Sequence, residues 1–255
     1  MKVLYFDCTS GISGDMSLGA LIDLGVDSQY LQNELLKLNI TGYELIVKKI
    51  EKNNIMMTDV DVIIDEALIL ADPNTDDYCS VEKNRNLIHI NRIIDSSTIN
   101  DRAKKMSKHI FLEIALAEAK AHGKELENVY FHEIGAIDSI IDIVGVSICI
   151  AALSPDKILA SELHDGSGFI KCRNGMVLPV PVPAVKNMLE NANIPLVQEE
   201  VHTEMITPTG MGIIKCLAEK YQEMPQMVIH KIGYGRGKRN TGKRGAVKVV
   251  MGDLI

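Results

Sequence analysis

Ile137-Asp138-Ser139-Ile140-Ile141-Asp142-Ile143-Val144-Gly145-Val146-Ser147-Ile148-Cys149-Ile150-Ala151-Ala152 is the stretch that organises the chain. At about 100° per residue, Ile137, Ile140, Ile141, Val144, Ile148 and Ala151 share one apolar face. Ile143, Val146 and Ile150 cover much of the other side, leaving a narrow stripe of Asp138, Asp142, Gly145 and Cys149. A helix apolar nearly all round belongs inside a protein, and a buried carboxylate there costs several kcal/mol unless a cation, a metal or hydrogen-bond donors compensate it. Two aspartates on that stripe therefore imply a partner.

Just upstream, His132 and Glu133 follow the short apolar run Val129-Tyr130-Phe131, which reads as a strand. An imidazole and several carboxylates facing one cavity suit a first-row divalent metal, whereas hard oxygen ligands alone would suggest magnesium. The competing interpretation makes Asp138 a helix cap, Asp142 the partner of an Arg or Lys, and His132 a hydrogen-bonded core histidine.

Composition narrows the classes. The 255 residues suffice for one large domain or two small ones with a core that needs no disulfides. A formal charge of −7 argues against a protein that mainly grips nucleic acid. The absence of tryptophan and a 4% aromatic content remove the usual stacking platforms for single strands. Five scattered cysteines form no CxxC pair, as expected for free thiols in a reducing cytoplasm. No stretch has the roughly 18 uncharged apolar residues of a membrane-spanning helix, so a cytoplasmic protein without membrane or nucleic-acid partners is expected.

In chain order, Val3 to Phe6 reads as a strand running into Asp7-Cys8-Thr9-Ser10-Gly11-Ile12-Ser13-Gly14-Asp15, with Ser13 as cap of a helix that stops at Gly25. Ser10, Ser13 and Gly14 make this corner anion-friendly, while Asp7 and Asp15 favour a metal or a metal-bridged phosphate. It lacks the Lys-Ser/Thr ending of a Walker A loop, and an ordinary strand-to-helix connection is the bland alternative. A helix from Asp27 to Leu38 precedes strands at Tyr43 to Ile50 and Ile55 to Ile64, and then a mobile acidic loop at 65–85.

A short helix from Asn86 leads to a long one capped by Thr98 and stopped at Gly123. After the central helix, Lys157 to Leu163 reads as a strand, His164 to Gly175 as a glycine-rich hairpin, and the prolines of Leu178 to Ala184 as a rigid extended piece leading into a helix near Lys186 to Asn191. Thr207 and Pro208 open a further helix, where Thr209 and Gly210 offer a second anion site and Glu204 a metal ligand or base. Lys231, Arg236, Lys238, Arg239, Lys243, Arg244 and Lys248 then occur among five glycines with no acid between them. This reads as a flexible basic loop that could wrap a phosphate, ahead of a strand from Ala246 to Met251.

Several of these motifs stand in the order of one family. Phe6-Asp7-Cys8 with Ser10 to Met16, Ala117 to Gly123, Phe131 to Ser139, Leu178-Pro179-Val180-Pro181, Thr207-Pro208-Thr209-Gly210 and Ile232 to Gly235 resemble the LarC family of nickel insertion proteins. The resemblance implies a chelatase that inserts Ni²⁺, as substrate metal, into pyridinium-3,5-bisthiocarboxylic acid mononucleotide with hydrolysis of CTP, giving the nickel-pincer nucleotide cofactor. His132, Glu133, Asp138, Asp142, Asp7 and Asp15 are then the metal-handling candidates. Ser10, Ser13, Gly14, Thr207, Thr209, Gly210, Arg236, Lys238 and Arg239 are the candidates for substrate or phosphate.

The chain departs from the pattern in two ways. The histidine-rich tract of many members is replaced by the acidic loop, and the resemblance implies that full-length members continue past Ile255 into a domain associated with CTP and its divalent cation. The chain thus resembles the N-terminal portion of such a protein, and its expected partners are the C-terminal half, separate or joined by frameshifting, and further copies of itself. Its fold class is a mixed α+β, with helices packed on strands joined by glycine-rich turns, in one globular unit or two lobes. The rival functions are a non-catalytic nickel-binding or scaffolding subunit and a divalent-metal phosphohydrolase built on Asp7 and Asp15.

Overall fold

The computed structural model describes residues 1–65, 85–129, 137–171, 175–239 and 245–255. Within them a seven-stranded mixed sheet runs in the order β2-β3-β10-β11-β1-β4-β9. β1 (Lys2–Asp7) pairs in parallel with β4 (Lys157–Ala160), which pairs in parallel with β9 (Lys220–Tyr221). On its other side β1 pairs antiparallel with β11 (Ala246–Leu254), and β11 pairs antiparallel with β10 (Met227–Arg236). β3 (Ile55–Ile64) joins β10 in parallel and carries the antiparallel edge strand β2 (Tyr43–Lys52).

Alternation along the strands separates two faces. Leu4, Phe6, Val247 and Val249 point into the main core, whereas Val3, Tyr5, Leu159 and Val250 form a small cluster on the other face. The helix α1 (Gly14–Asp23) lies on the core face against β10 and β3, and α5 (Ile137–Leu153) packs on α1. α5 is the expected central helix: its residues from Ser139 to Ile141 and from Ile143 to Ile150 are buried all round, while Asp138 and Asp142 keep partial exposure. Against it lie α2 (Ser28–Leu36), the 22-residue α4 (Asp101–His122) and α7 (Pro208–Leu217). α3 (Leu87–Ser96) and α6 (Pro183–Leu189) pack on α4.

The capping expected for the later helices is present. Thr207 Oγ1 accepts from the Gly210 N–H at 3.0 Å, Pro208 occupies the first helical position, and Gly123 closes α4 at φ 60°. Elsewhere the structure corrects the sequence reading. α4 is capped by Asn100, whose side chain accepts from the Arg102 N–H at 2.8 Å, and not by Thr98. Ile99 is buried immediately before it, so the chain turns into the helix only after that side chain is seated.

Ser13 sits at the cap position of α1, but its hydroxyl donates to Asp15 and makes no cap hydrogen bond. The strand expected from Lys157 to Leu163 divides. At Ser161 the backbone still donates to Phe6 O, and the Ser161 Oγ accepts from the Cys8 N–H, after which β5 (Leu163–Asp165) leaves to pair with β8 (Leu196–Gln198). The hairpin expected within His164 to Gly175 is shifted: β6 (Phe169–Lys171) pairs antiparallel with β7 (Val177–Pro179), which begins the proline-rich stretch.

The largest correction concerns the basic, glycine-rich segment. Its first part is the strand β10, and its glycines serve close packing. A Cβ on Gly233 would lie 2.3 Å from Ala20 O, and one on Gly235 1.7 Å from Met16 O, so only bare backbone lets α1 lie this close to the strand. Asp23 then ties the layers together by accepting from the Tyr234 N–H at 2.8 Å, from Thr58 Oγ1 at 2.9 Å and from Lys49. Of the acidic loop expected at 65–85, residues 66–84 lie outside the described residues.

Candidate functional site

The aspartate stripe of α5 meets the N-terminus of α1. Gly14 opens α1, and a Cβ there would fall 2.4 Å from Asp142 Oδ2, so glycine lets that carboxyl lie directly against the helix start. Partial positive charge at a helix N-terminus favours a carboxylate there. Asp142 Oδ1 is nevertheless buried with no hydrogen-bond partner among the described residues. Burial, and then the charges of Asp15 and Asp138, push the Asp142 carboxyl well above the usual carboxylate range, with Lys238 opposing.

Asp15 is also raised, chiefly by burial, against the Ser13 hydroxyl, the Met16 N–H at 2.8 Å and the charge of Lys238. Asp138 Oδ1 accepts from the Ser139 N–H at 2.8 Å in the first turn of α5. Asp15 and Asp138 thus each lie within electrostatic reach of Asp142, and a cation entering this corner would relieve that repulsion. As placed, no three His, Cys, Asp or Glu side chains among the described residues converge on one ion. His132 and Glu133 lie outside those residues.

Asp7, at the far end of the loop, faces the opposite side of the sheet. Its Oδ2 pairs with Lys248 at 2.7 Å, and its Oδ1 accepts from Thr9 Oγ1 at 2.7 Å. Ser10 is buried beside it. Burial raises the Asp7 carboxyl, but Lys248 and Thr9 outweigh this and hold it below the ordinary range. Thr207, Thr209 and Gly210 stand close to Ser13 and Gly14, because Ile12 N–H donates to Met205 O at 2.9 Å and Thr207 N–H to Ile12 O at 3.1 Å. A Cβ on Gly210 would fall 2.2 Å from Ile12 O, so the two glycine corners pack backbone to backbone.

The cations expected to grip phosphate are matched with carboxylates. Arg236 and Lys238 each lie 2.8 Å from Asp59, Lys238 also reaches Asp61, and Arg239 pairs with the buried Glu204. Burial raises Asp59, but Lys238 and Arg236 outweigh it and leave its carboxyl below the ordinary range. Sequence reasoning missed these partners, since Asp59 stands 177 positions from Arg236. It also missed Asp165, whose fully buried Oδ1 accepts from Gly166, Met205 and Ile206 N–H at 2.8, 2.7 and 3.2 Å. That staple fixes the loop bearing Glu204, and the available signal was an Asp-Gly pair directly after a strand.

Taken together, the fold and this corner define a mixed α+β protein that gathers oxygen donors at its central helix. The chain belongs to the nickel insertion protein family, whose model matches residues 4–253. It is 52% identical over 253 residues to the pyridinium-3,5-bisthiocarboxylic acid mononucleotide nickel insertion protein of Acetivibrio thermocellus, covering 99% of this chain and 61% of that protein. Proteins of the same name from Lactiplantibacillus plantarum and Clostridium acetobutylicum are 44% and 41% identical, covering 98% and 99% of this chain and 61% and 64% of their own lengths. The chain therefore spans about six-tenths of the curated relatives it matches. No solved structure matches it, and no described helix is long and apolar enough to cross a membrane.

Proposed function

We propose that this chain is the N-terminal, metal-handling portion of a nickel chelatase. In this reading Ni²⁺ is the cargo, pyridinium-3,5-bisthiocarboxylic acid mononucleotide the acceptor, and the nickel-pincer nucleotide the product. CTP hydrolysis and its divalent cation belong to the remaining portion of the longer protein. The supporting observation is the carboxyl of Asp142, buried against the start of α1 with one oxygen unpartnered and two like charges close by. Oxygen donors hold Ni²⁺ loosely enough to yield it to sulfur, which suits a site that must release its metal to thiocarboxylates. Asp15, Asp138 and Asp142 are assigned to the metal, and His132 and Glu133 are assigned as further ligands. Asp7 is set aside from the metal because Lys248 holds it on the other face of the sheet.

Titration of the chain with Ni²⁺ by calorimetry, without CTP, tests the assignment. The expected result is a Kd tighter than about 10 μM, or about −7 kcal/mol, lost in both Asp138→Ala and Asp142→Ala. Equal binding by the variants would make the aspartate stripe structural. A second reading is a nickel-binding or scaffolding subunit, which turnover assays with and without the remaining portion of the relatives' length would distinguish.

A further inference from the structure

Among the described residues, two buried carboxyls carry an oxygen with no hydrogen-bond partner: Asp142 in the metal corner, and Asp165, which the nickel reading does not use. Sealing a carboxyl from water is costly, so its contacts show what it holds in place. Asp165, at the end of β5, is fully buried. Its Oδ1 gathers the N–H groups of Gly166, Met205 and Ile206, and its backbone oxygen accepts from the Glu199 N–H at 2.8 Å. Gly166 makes the room, since a Cβ there would lie 1.9 Å from Thr203 O.

From this hub the contacts run through main chain to the metal corner. Met205 O accepts from the Ile12 N–H at 2.9 Å, and Ile12 O accepts from the Thr207 N–H at 3.1 Å, with Ile12 and Ile206 both fully buried. A Cβ on Gly11 would lie 2.1 Å from Met205 O and one on Gly210 2.2 Å from Ile12 O, so neither loop can shift without the other. Two residues after Ile12, Gly14 opens α1 with its Cβ position 2.4 Å from Asp142 Oδ2, and Ser13 O accepts from the Ser17 N–H at 3.0 Å in the first turn. Binding groups work only when held to within about 0.5 Å, and main-chain contacts have no rotamers with which to absorb a displacement. We propose that Asp165 is the positioning residue of the metal corner: through the loops at 204–207 and 11–13 it sets where α1 begins against Asp142, without touching the metal. The metal role of the corner rests on the proposed function; the relay that positions it does not.

The test compares Asp165→Asn and Asp165→Ala in the full chain, by calorimetric titration with Ni²⁺ and by amide hydrogen exchange without metal. Asn keeps an oxygen acceptor for the three N–H groups. Asp165→Asn is therefore expected to bind Ni²⁺ within about threefold of the unaltered chain, and Asp165→Ala about tenfold or more weakly. Asn100→Ala loses a helix cap outside the relay and should bind within about twofold, which separates misplacement from lost stability. In Asp165→Ala the Ile12, Ser17 and Thr207 amides are expected to exchange at least about tenfold faster relative to amides inside α4. If Asp165→Ala does not fold, Asp165→Ser, whose short hydroxyl cannot span the three donors, takes its place. Unchanged nickel affinity in Asp165→Ala, a loss shared by Asp165→Asn or by Asn100→Ala, or unchanged relative exchange at the three amides would each overturn the proposal. An unaltered chain that binds no nickel removes the metal reading, and the exchange rates then decide the relay.

Discussion

At the residue scale, Asp142 shows how a side chain can be legible in position and illegible in state. Helical periodicity placed it with Asp138 on the one polar stripe of an otherwise apolar helix. Its surroundings come from α1, more than a hundred residues earlier: the bare Cα of Gly14 and the charge of Asp15, with no donor to its Oδ1 among the described residues. Because its folded carboxyl titrates above the unfolded one, its stability contribution is full in acid and is lost as pH rises through the raised value. Asp142→Asn is therefore expected to stabilise the metal-free protein by about 1 kcal/mol at pH 8, or about 2–4 °C in Tm, with a smaller gain at pH 5. Thermal scans at both pH values check this, and an equal gain at the two would mean that the carboxyl is not what is being relieved.

At the scale of elements, most helices and strands declared themselves through period and punctuation, and the misses fall where local signals compete. Thr98 and Asp101 form a capping-box pattern, yet Asn100 is an equally good cap and the burial of Ile99 selects it. Asn100→Ala should cost about 1 kcal/mol in chemical denaturation, while Thr98→Ala should stay within about 0.5 kcal/mol. The reverse order would restore the sequence-based cap. β10 escaped for a related reason: the alternating Gly233, Gly235 and Gly237 with Arg236 and Lys238 read as a loop, although Val228, Ile229, Ile232 and Tyr234 are strand formers. It is a strand because β11 and β3 pair with it and α1 covers its glycines.

At the scale of the molecule, the distance between α1 and the sheet is set by those glycines. Gly235→Ala would push a methyl carbon into the backbone carbonyl of Met16, and neither backbone can yield without moving the helix that carries Gly14 and Asp15. A loss of about 3 kcal/mol or more is expected, together with weakened nickel binding, as urea unfolding and metal titration would show. Gly123→Ala is the contrasting case: no atom lies within 4 Å of its Cβ position, and only the left-handed φ of 60° opposes the change, at about 1–2 kcal/mol. Similar losses from the two would make packing at Gly235 unimportant.

The sequence by itself determined the α+β class, the buried central helix with its two aspartates, the caps at Thr207 and Gly123, and the motifs that place the chain in its family. These are local patterns, carried by residues at most a few turns apart. The tertiary structure alone decided which charges meet. It set Asp59 against Arg236 and Lys238, Glu204 against Arg239, and Asp7 against Lys248. It also divided the candidate residues between two faces of the sheet, with Asp15, Asp138 and Asp142 on one and Asp7 on the other. Charge pairing depends on distance through space, and the strand order that fixes those distances arises from contacts between segments nearly the whole chain apart, as Lys2 opposite Asp253 shows.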